Sequence, residues 1–341
     1  MTASVALMTA PSPVVATHRA ATVYSAVGLT GNPFPRDPTA GGYVALSQQS
    51  AVLNGARAWL ASSGAGAPGL AVIAGPAGSG KTRLLEQLVL GIAGDDRLIG
   101  VVPAEDGPRS DAHLLRAAIA ALGGAPQGRT GLELTTGLRA IFEDHLEDPL
   151  PPVLLIDDAA LTGSQLEILR GVLTRPAPDP ARTRVQIVLF GPLALPDRIA
   201  RRRSLNGLIQ FGATLSPLDV ADARALLDGR IAAMHDHGIP AAEPFISEPA
   251  LEIMLAASGG NPGGLLALAH AAVREVIATG GYGVDAVTAH AVSQASPTTA
   301  GSSFPTAVAS GDGAIQTRLV LPGVDDASEP ATSSRRRRQQ R

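Results

Sequence analysis

The sequence contains no cysteine and few aromatic residues, and each absence excludes a class of protein. Without cysteine there are no disulfides, zinc–thiolate centres or cysteine nucleophiles. Aromatic side chains make up 3% of the 341 residues, so stacking surfaces for single-stranded nucleic acid are not expected. The sequence has no run of about 18 apolar residues, and its first 20 residues lack the basic start and unbroken apolar stretch of a signal peptide. These absences predict a cytoplasmic protein without a transmembrane segment.

Lysine is also nearly absent, and its single occurrence is informative. Of the 27 basic residues, 26 are arginine and the remaining one is Lys81. A compact ammonium group can enter a phosphate-binding loop as a point charge, a role that the planar guanidinium group of arginine does not reproduce. The one lysine therefore indicates a position at which phosphate binding requires it.

Residues 75–82 fit the pattern G-x-x-x-x-G-K-[ST] in full, directly after an apolar strand and directly before a helix. In such a P-loop the glycines let backbone N–H groups turn towards phosphates, and the helix N-terminus favours negative charge. Lys81 would bridge the β- and γ-phosphates of ATP, and the Thr82 hydroxyl would ligate Mg²⁺. The predicted cofactor-binding residues are Gly75, Pro76, Ala77, Gly78, Ser79, Gly80, Lys81, Thr82 and Arg83.

A second apolar strand supplies the carboxylate that such a site needs. Residues 153–156 are followed by Asp157 and Asp158, about 75 residues after the P-loop. A carboxylate at the end of a neighbouring strand is suited to hold Mg²⁺ through water. Asp157 and Thr82 are therefore the predicted metal-binding residues, and Lys81, Asp157 and Asp158 are the predicted catalytic residues.

Strands and helices alternate through the first two thirds of the chain. Strands are predicted at 70–74, 98–103, 153–156 and 185–190, with helices between them. This alternation predicts an α/β fold with a parallel sheet covered on both faces. After residue 215 only helices are predicted, which indicates a small, all-helical C-terminal lid domain.

The order of these landmarks resembles that of the ExeA-type AAA+ ATPases, which assist type II secretion and pilus assembly, and of the related TnsC/MuB-like transposition ATPases. Besides the P-loop, the resemblance rests on the Asn-Pro-Phe segment at 32–34, the strand ending at Asp157, the Gly-Pro stretch at 191–195 and the Gly-Gly-Asn-Pro stretch at 259–262. It implies a P-loop NTPase of the AAA+ type that works as a homo-oligomer. The predicted domains are a disordered segment at 1–27, an AAA+ core at 28–215 that includes the Asn-Pro-Phe segment, a helical lid at 216–293 and a disordered tail at 294–341.

The chain also departs from the pattern of this family at positions that serve hydrolysis. The glutamate that polarises the attacking water is replaced by Asp158, and the polar sensor after the fourth strand is replaced by Pro192. The arginine of the second sensor is missing from residues 261–264. Residues 201–203, three arginines, are either a displaced arginine finger or a solvated helix face, and Glu105 or Asp106 is an alternative base.

The intact binding groups and altered catalytic groups predict an ATPase with low turnover. We expect it to couple nucleotide state to the assembly or positioning of a secretion or surface-structure machine, with proteins of that machine as partners. Two alternatives stay open: a DNA-linked ATPase of the transposition-regulator type, and a nucleotide-gated adaptor that does not hydrolyse ATP.

The last seven residues hold five arginines, and without them 22 basic residues stand against 30 acidic ones. An acidic body disfavours a DNA-wrapping role. The basic end fits nucleic acid, anionic lipid, an acidic partner or an unremarkable disordered terminus.

Overall fold

The computed structural model describes residues 23–35, 42–62, 69–104, 110–145, 148–174, 185–235, 244–295 and 318–319. The alternative bases Glu105 and Asp106, the arginine-rich end and most of the two segments predicted as disordered lie outside these residues.

A parallel sheet of five strands forms the centre of the protein, in the order β2-β3-β4-β1-β5. The strands are β1 (Gly69–Ala74), β2 (Ile99–Val102), β3 (Val153–Ile156), β4 (Gln186–Gly191) and β5 (Ile209–Thr214). A two-residue strand, β6 (Arg318–Leu319), pairs antiparallel with β5. Because β1 lies between β4 and β5, the loop after β1 leaves the middle of the sheet.

Helices cover both faces of this sheet. They are α1 (Ser47–Ser62), α2 (Lys81–Ile92), α3 (Asp111–Ala121), α4 (Gly131–Asp144), α5 (Gly163–Leu173), α6 (Leu195–Ala200) and α7 (Arg203–Asn206). Side chains on alternate positions of each strand point to opposite faces, so two separate apolar clusters form. One cluster packs Leu154 and Ile156 against α3, α4 and α5, and the other packs Leu155 against α1 and α2.

The second part of the described chain contains helices α8 (Val220–Ala232), α9 (Glu248–Ser258), α10 (Pro262–Thr279) and α11 (Ala286–Ala295). These four helices enclose a third apolar cluster. Their ends follow local rules, because Asp219 and Ser247 cap the N-termini of α8 and α9, and Gly259 ends α9 with a left-handed backbone.

The Asn-Pro-Phe segment packs against this helical cluster and not against the sheet clusters. Leu29, Phe34 and Leu46 are buried there with residues of the four helices. The domain limits at 28–215 and 216–293 stay predictions, and the packing adds that the segment before α1 lines the side of the helical lid.

The α/β fold class with a parallel sheet core is confirmed, and the four predicted strands are present at nearly the predicted limits. Strand β5 and the short helices α6 and α7 were not predicted. The turn signal Asn206-Gly207 precedes the strand and its residues alternate, but Gln210 and Gly212 make it less apolar than the four predicted strands. In the described part of the chain no helix combines the length and the apolar character needed to cross a bilayer.

Candidate nucleotide-binding site

The loop from Gly75 to Gly80 connects β1 to α2 and depends on glycine at two positions. Gly78 has φ 77° and Gly80 has φ 90°, which are left-handed conformations that side chains with a Cβ atom rarely adopt. A Cβ atom at Gly78 would lie 2.6 Å from Oδ1 of Asn261, and one at Gly80 would lie 2.7 Å from Nε2 of Gln49. The glycines therefore serve both the turn and the close approach of two distant elements.

Lys81 closes the loop from inside. Its Nζ atom donates hydrogen bonds to the carbonyl oxygens of Gly75 (2.9 Å) and Pro76 (2.8 Å). Burial lowers the pKa of Lys81, while the carboxylates of Asp157 and Asp158 act in the opposite direction. The ammonium group has three N–H donors, so one donor remains for a further acceptor at this end of the site.

The next three carbonyl oxygens of the loop are bound from outside. Nδ2 of Asn261 donates to Ala77 O at 2.8 Å. The backbone N–H of Gly263 donates to Gly78 O at 2.9 Å, and Nε2 of Gln49 donates to Ser79 O at 3.4 Å. All five carbonyl oxygens of residues 75–79 therefore accept hydrogen bonds from the protein itself.

Thr82 and Asp157 meet as the sequence predicts. Thr82 lies in the first turn of α2, and Asp157 directly follows β3, two strands away from β1. The Thr82 hydroxyl donates to Oδ2 of Asp157 at 2.7 Å, and Asp157 is 3% exposed. A hydroxyl and a buried carboxylate at this distance are the oxygen donors that Mg²⁺ prefers.

Asp158 has an unusual backbone. Its φ of 44° is the only positive value at a non-glycine residue in the described part of the chain. Its N–H donates to Oδ1 of Asp157 at 2.9 Å, and its own side chain is exposed at the edge of the site. A left-handed residue costs about 1–3 kcal/mol unless its surroundings hold it, and aspartate tolerates this conformation better than most residues.

These groups line one cavity of about 770 Å³. The P-loop and the carboxyl ends of the strands form one wall, α8 and α10 form the opposite wall, and the segment before α1 forms a third. The apolar part of the lining includes Phe34, Val44, Leu226 and Leu266. The four cationic side chains in the lining outnumber the two carboxylates, Asp157 and Asp158. The cationic residues are Lys81, Arg83, Arg230 and Arg274.

Arg230 is an unexpected member of this lining. It projects from the last turn of α8 and is 7% exposed, yet within the described residues no carboxylate pairs with it and its Nε has no hydrogen-bond partner. Burial lowers the pKa of the Arg230 guanidinium, and the positive charge of Arg83 lowers it further. A buried cation beside another cation is costly unless an anion joins them.

The remaining predicted residues occupy varied positions. Arg83 forms an ion pair with Glu86 one turn further along α2, at 2.7 Å. Arg202 lies 3.6 Å from the carboxylate of Glu167, and Arg201 and Arg203 are exposed. The finger role of residues 201–203 stays a prediction.

The sequence did not identify Gln49 or Arg230 as residues of the site. It singled out Asn261, but not as a contact of the P-loop. Gln49 and Asn261 lie 30 and 184 residues from the carbonyls that they bind. The one available signal was the Gly-Gly-Asn-Pro stretch, which predicts a capped helix start but not the loop it touches.

A parallel sheet with a P-loop after an interior strand, together with helices on both faces and a helical part after the sheet, is the fold of the P-loop AAA+ ATPases. Residues 65–199 match a protein-family model described as AAA domain. No curated protein sequence matches the chain.

Solved structures of similar fold include those of archaeal proteins. Cdc6p from Pyrobaculum aerophilum has 18% sequence identity and a TM-score of 0.58, over 73% of this chain and 67% of that one. The ADP form of the ORC2 protein from Aeropyrum pernix has 17% identity and a TM-score of 0.57, over 76% and 71%. The ORC1 protein of the same organism, in complex with DNA, has 15% identity and a TM-score of 0.55, over 77% and 69%. At these identities the similarity concerns the fold.

The surroundings of Arg230 predict that this residue reduces the stability of the ligand-free protein. Arg230→Met removes the buried charge with little change in side-chain volume, so the free energy of unfolding should rise by about 1 kcal/mol, measured by urea denaturation. The matched control is Arg224→Met on the same helix, because Arg224 pairs with Asp228 and Glu248 and donates to Ile246 O. That substitution should lower stability by about 1 kcal/mol. A loss of stability in Arg230→Met would contradict the assignment of an uncompensated cation.

Proposed function

We propose that the protein binds ATP with Mg²⁺ in this cavity and uses the nucleotide as a slowly reset switch. The single observation that carries the proposal is the hydrogen bond from the Thr82 hydroxyl to buried Asp157, beside Lys81 and next to a glycine-rich loop whose carbonyls are all hydrogen-bonded within the protein. A planar trans peptide directs its N–H opposite to its C=O. The amides of Gly78 and Gly80 are therefore directed away from Asn261 and Gln49, which bind the carbonyls of the same peptides, as a phosphate cradle requires.

The parts of the cavity fit the parts of the nucleotide. The third donor of Lys81 and the loop amides are placed for the terminal phosphates, and Thr82 with Asp157 would hold the metal. When bound, Mg²⁺ neutralises phosphate charge. Arg230 is a further candidate phosphate or ribose ligand, because an anion would satisfy its buried guanidinium. The apolar lining of Phe34 and its neighbours suits an adenine ring. The ADP form of the similar ORC2 protein supports this proposal.

The first test of the proposed function is whether the protein binds Mg-ATP. Isothermal titration calorimetry with Mg-ATP should give saturable heat for the native chain. Lys81→Ala should weaken the affinity about a hundredfold or more, because a charged hydrogen-bond donor to phosphate is lost. Arg129→Ala, an exposed arginine outside the cavity, is the control and should bind as the native chain does. The proposal fails if the native chain shows no heat, or if Lys81→Ala matches it.

Slow turnover is the second part of the proposal. Asp158 stands where the family that this sequence resembles carries a glutamate, and its side chain is one methylene shorter, so an attacking water would be oriented less well. Pro192, which follows β4, has no side-chain donor to sense the terminal phosphate. The groups for binding are thus complete, while those for hydrolysis are altered.

This prediction concerns Asp158 directly. The native chain should hydrolyse ATP at no more than about one turnover per second, at the low end for enzymes. Asp158→Asn should lower that rate at least tenfold, because an amide is no base, while the affinity for Mg-ATP changes less than twofold. Asparagine is the suitable replacement because it also tolerates a left-handed backbone. Equal rates for the two proteins would exclude Asp158 as the base, and a fast native rate would exclude the slow switch.

The partner of the switch is proposed in two alternatives. The resemblance to ExeA-type ATPases favours a secretion or surface-assembly machine. A second candidate, a DNA-linked ATPase, gains support from the similarity of fold to the ORC1 protein that was solved in complex with DNA. The net negative charge of the chain without its last seven residues opposes this candidate.

Duplex DNA distinguishes the two candidates. If the partner is a protein machine, DNA should change ATP turnover less than twofold at physiological salt, and the chain should not be retained on DNA in a filter-binding assay. Retention that requires ATP and weakens steeply with added salt would instead establish the DNA-linked candidate, because counterion release governs such binding.

A further inference from the structure

Asn261 occupies an unusual position for a helix cap. It is fully buried, and its Oδ1 accepts a hydrogen bond from the N–H of Gly264 at 3.1 Å, which caps the N-terminus of α10. Its Nδ2 simultaneously donates to Ala77 O in the P-loop at 2.8 Å. One amide side chain therefore joins the start of a lid helix to the phosphate loop.

A second contact fixes the same junction. The backbone N–H of Gly263 donates to Gly78 O at 2.9 Å. A Cβ atom at Gly263 would lie 3.1 Å from the Cα of Gly78, so the two backbones approach as closely as glycine allows. Residues 261–264 are also the segment that is predicted to lack the sensor arginine of the resembled family, and Asn261 and Gly263 within it contact the loop itself.

The hydrogen bond from Asn261 to Ala77 O affects the N–H group of Gly78, because the two groups belong to the same peptide. Ala77 C=O and Gly78 N–H belong to one planar peptide and point in opposite directions. A hydrogen bond donated to the oxygen polarises the group and strengthens its N–H as a donor, by roughly 10–30% per bond. An acceptor on the N–H likewise strengthens the oxygen as an acceptor for Asn261.

We propose that Asn261 is a positioning residue that couples nucleotide binding to the docking of the helical lid through the Ala77–Gly78 peptide. The inference rests on the proposed function and adds the contacts through which nucleotide binding would affect the position of the lid. An acceptor on the amide side of this peptide tightens the lid contact on the carbonyl side. By thermodynamic reciprocity, a docked lid raises the affinity for the nucleotide by the same factor.

The substitution Asn261→Ser tests the coupling. Serine is a good N-cap and keeps the helix start, but it is too short to donate to Ala77 O as well. The Kd for Mg-ATP, measured by calorimetry, should rise about five- to tenfold. In hydrogen exchange, Mg-ATP should slow the amides of residues 263–265 in the native chain, and this protection should shrink in the variant. A merely structural cap would change neither quantity at a temperature where the variant is folded.

A pair of glycine substitutions provides a matched control. Gly263→Ala adds a methyl group against Gly78 and should weaken nucleotide affinity in the same direction. Gly264→Ala gains the same helix propensity, and its Cβ would meet Ser258 at 3.3 Å, away from the loop, so its affinity should stay within about twofold of the native value.

These measurements distinguish a failure of the proposed coupling from a failure of the proposed function. If the native chain binds Mg-ATP while Asn261→Ser and Gly263→Ala bind it with unchanged Kd, the coupling is overturned and the proposed function stands. If the native chain does not bind the nucleotide, the proposed function fails and the coupling with it.

Discussion

The structure depends on one constraint, namely that every carbonyl oxygen of residues 75–79 is bound by the protein. Lys81 takes two of them, Gln49 takes one, and the start of α10 takes two. A peptide whose oxygen is held on one side presents its N–H on the other. The sheet fixes where this loop begins, because the N–H of Gly75 donates to Gly191 O at the end of β4. Gln49 of α1 and the start of α10 then bind the second half of the loop.

This arrangement concentrates positive charge. The Lys81 ammonium and the guanidinium groups of Arg83, Arg230 and Arg274 line one cavity with the carboxylates of Asp157 and Asp158, and Arg83 is also paired with Glu86. Burial, with a smaller contribution from Arg83, lowers the pKa of Arg230, the direction expected for a buried cation. An anion that binds here offsets the cost of burying that cation, so part of the binding free energy comes from removing an unfavourable interaction in the protein itself. This favours a polyanionic ligand and links lid packing to its presence.

The sequence predicted those parts of the fold and of the site that are encoded by residues close together in the chain. The P-loop lies within eight residues between a strand and a helix, and the carboxylate that binds Thr82 follows an apolar strand, so pattern alone placed both. Gln49, Asn261 and Arg230 belong to the site only because tertiary packing brings three other helices against the loop. No local pattern distinguishes Arg230 from the paired Arg224 on the same helix, since the difference lies in their neighbours. Strand β5 is a different case, because the Asn206-Gly207 turn and the alternation of its residues mark it locally, while Gln210 and Gly212 make that signal weaker than the apolar runs of the predicted strands.

The altered hydrolysis positions and the lid contact fit one mechanism. In an ATPase that senses the nucleotide through an arginine on the terminal phosphate, the lid responds to that phosphate directly. Here the lid start contacts the loop backbone by way of Asn261 and Gly263, so in the proposed coupling these two contacts would report whether the loop is occupied. The contacts by themselves would distinguish the filled loop from the empty one more strongly than ATP from ADP, and Arg230 is a charged lid residue that could add a contact with phosphate. A switch of this kind is reset by nucleotide release, and rapid hydrolysis would add little to it. The predicted replacement of the resembled family's glutamate by Asp158, and of its polar sensor by Pro192, would suit a switch of this kind.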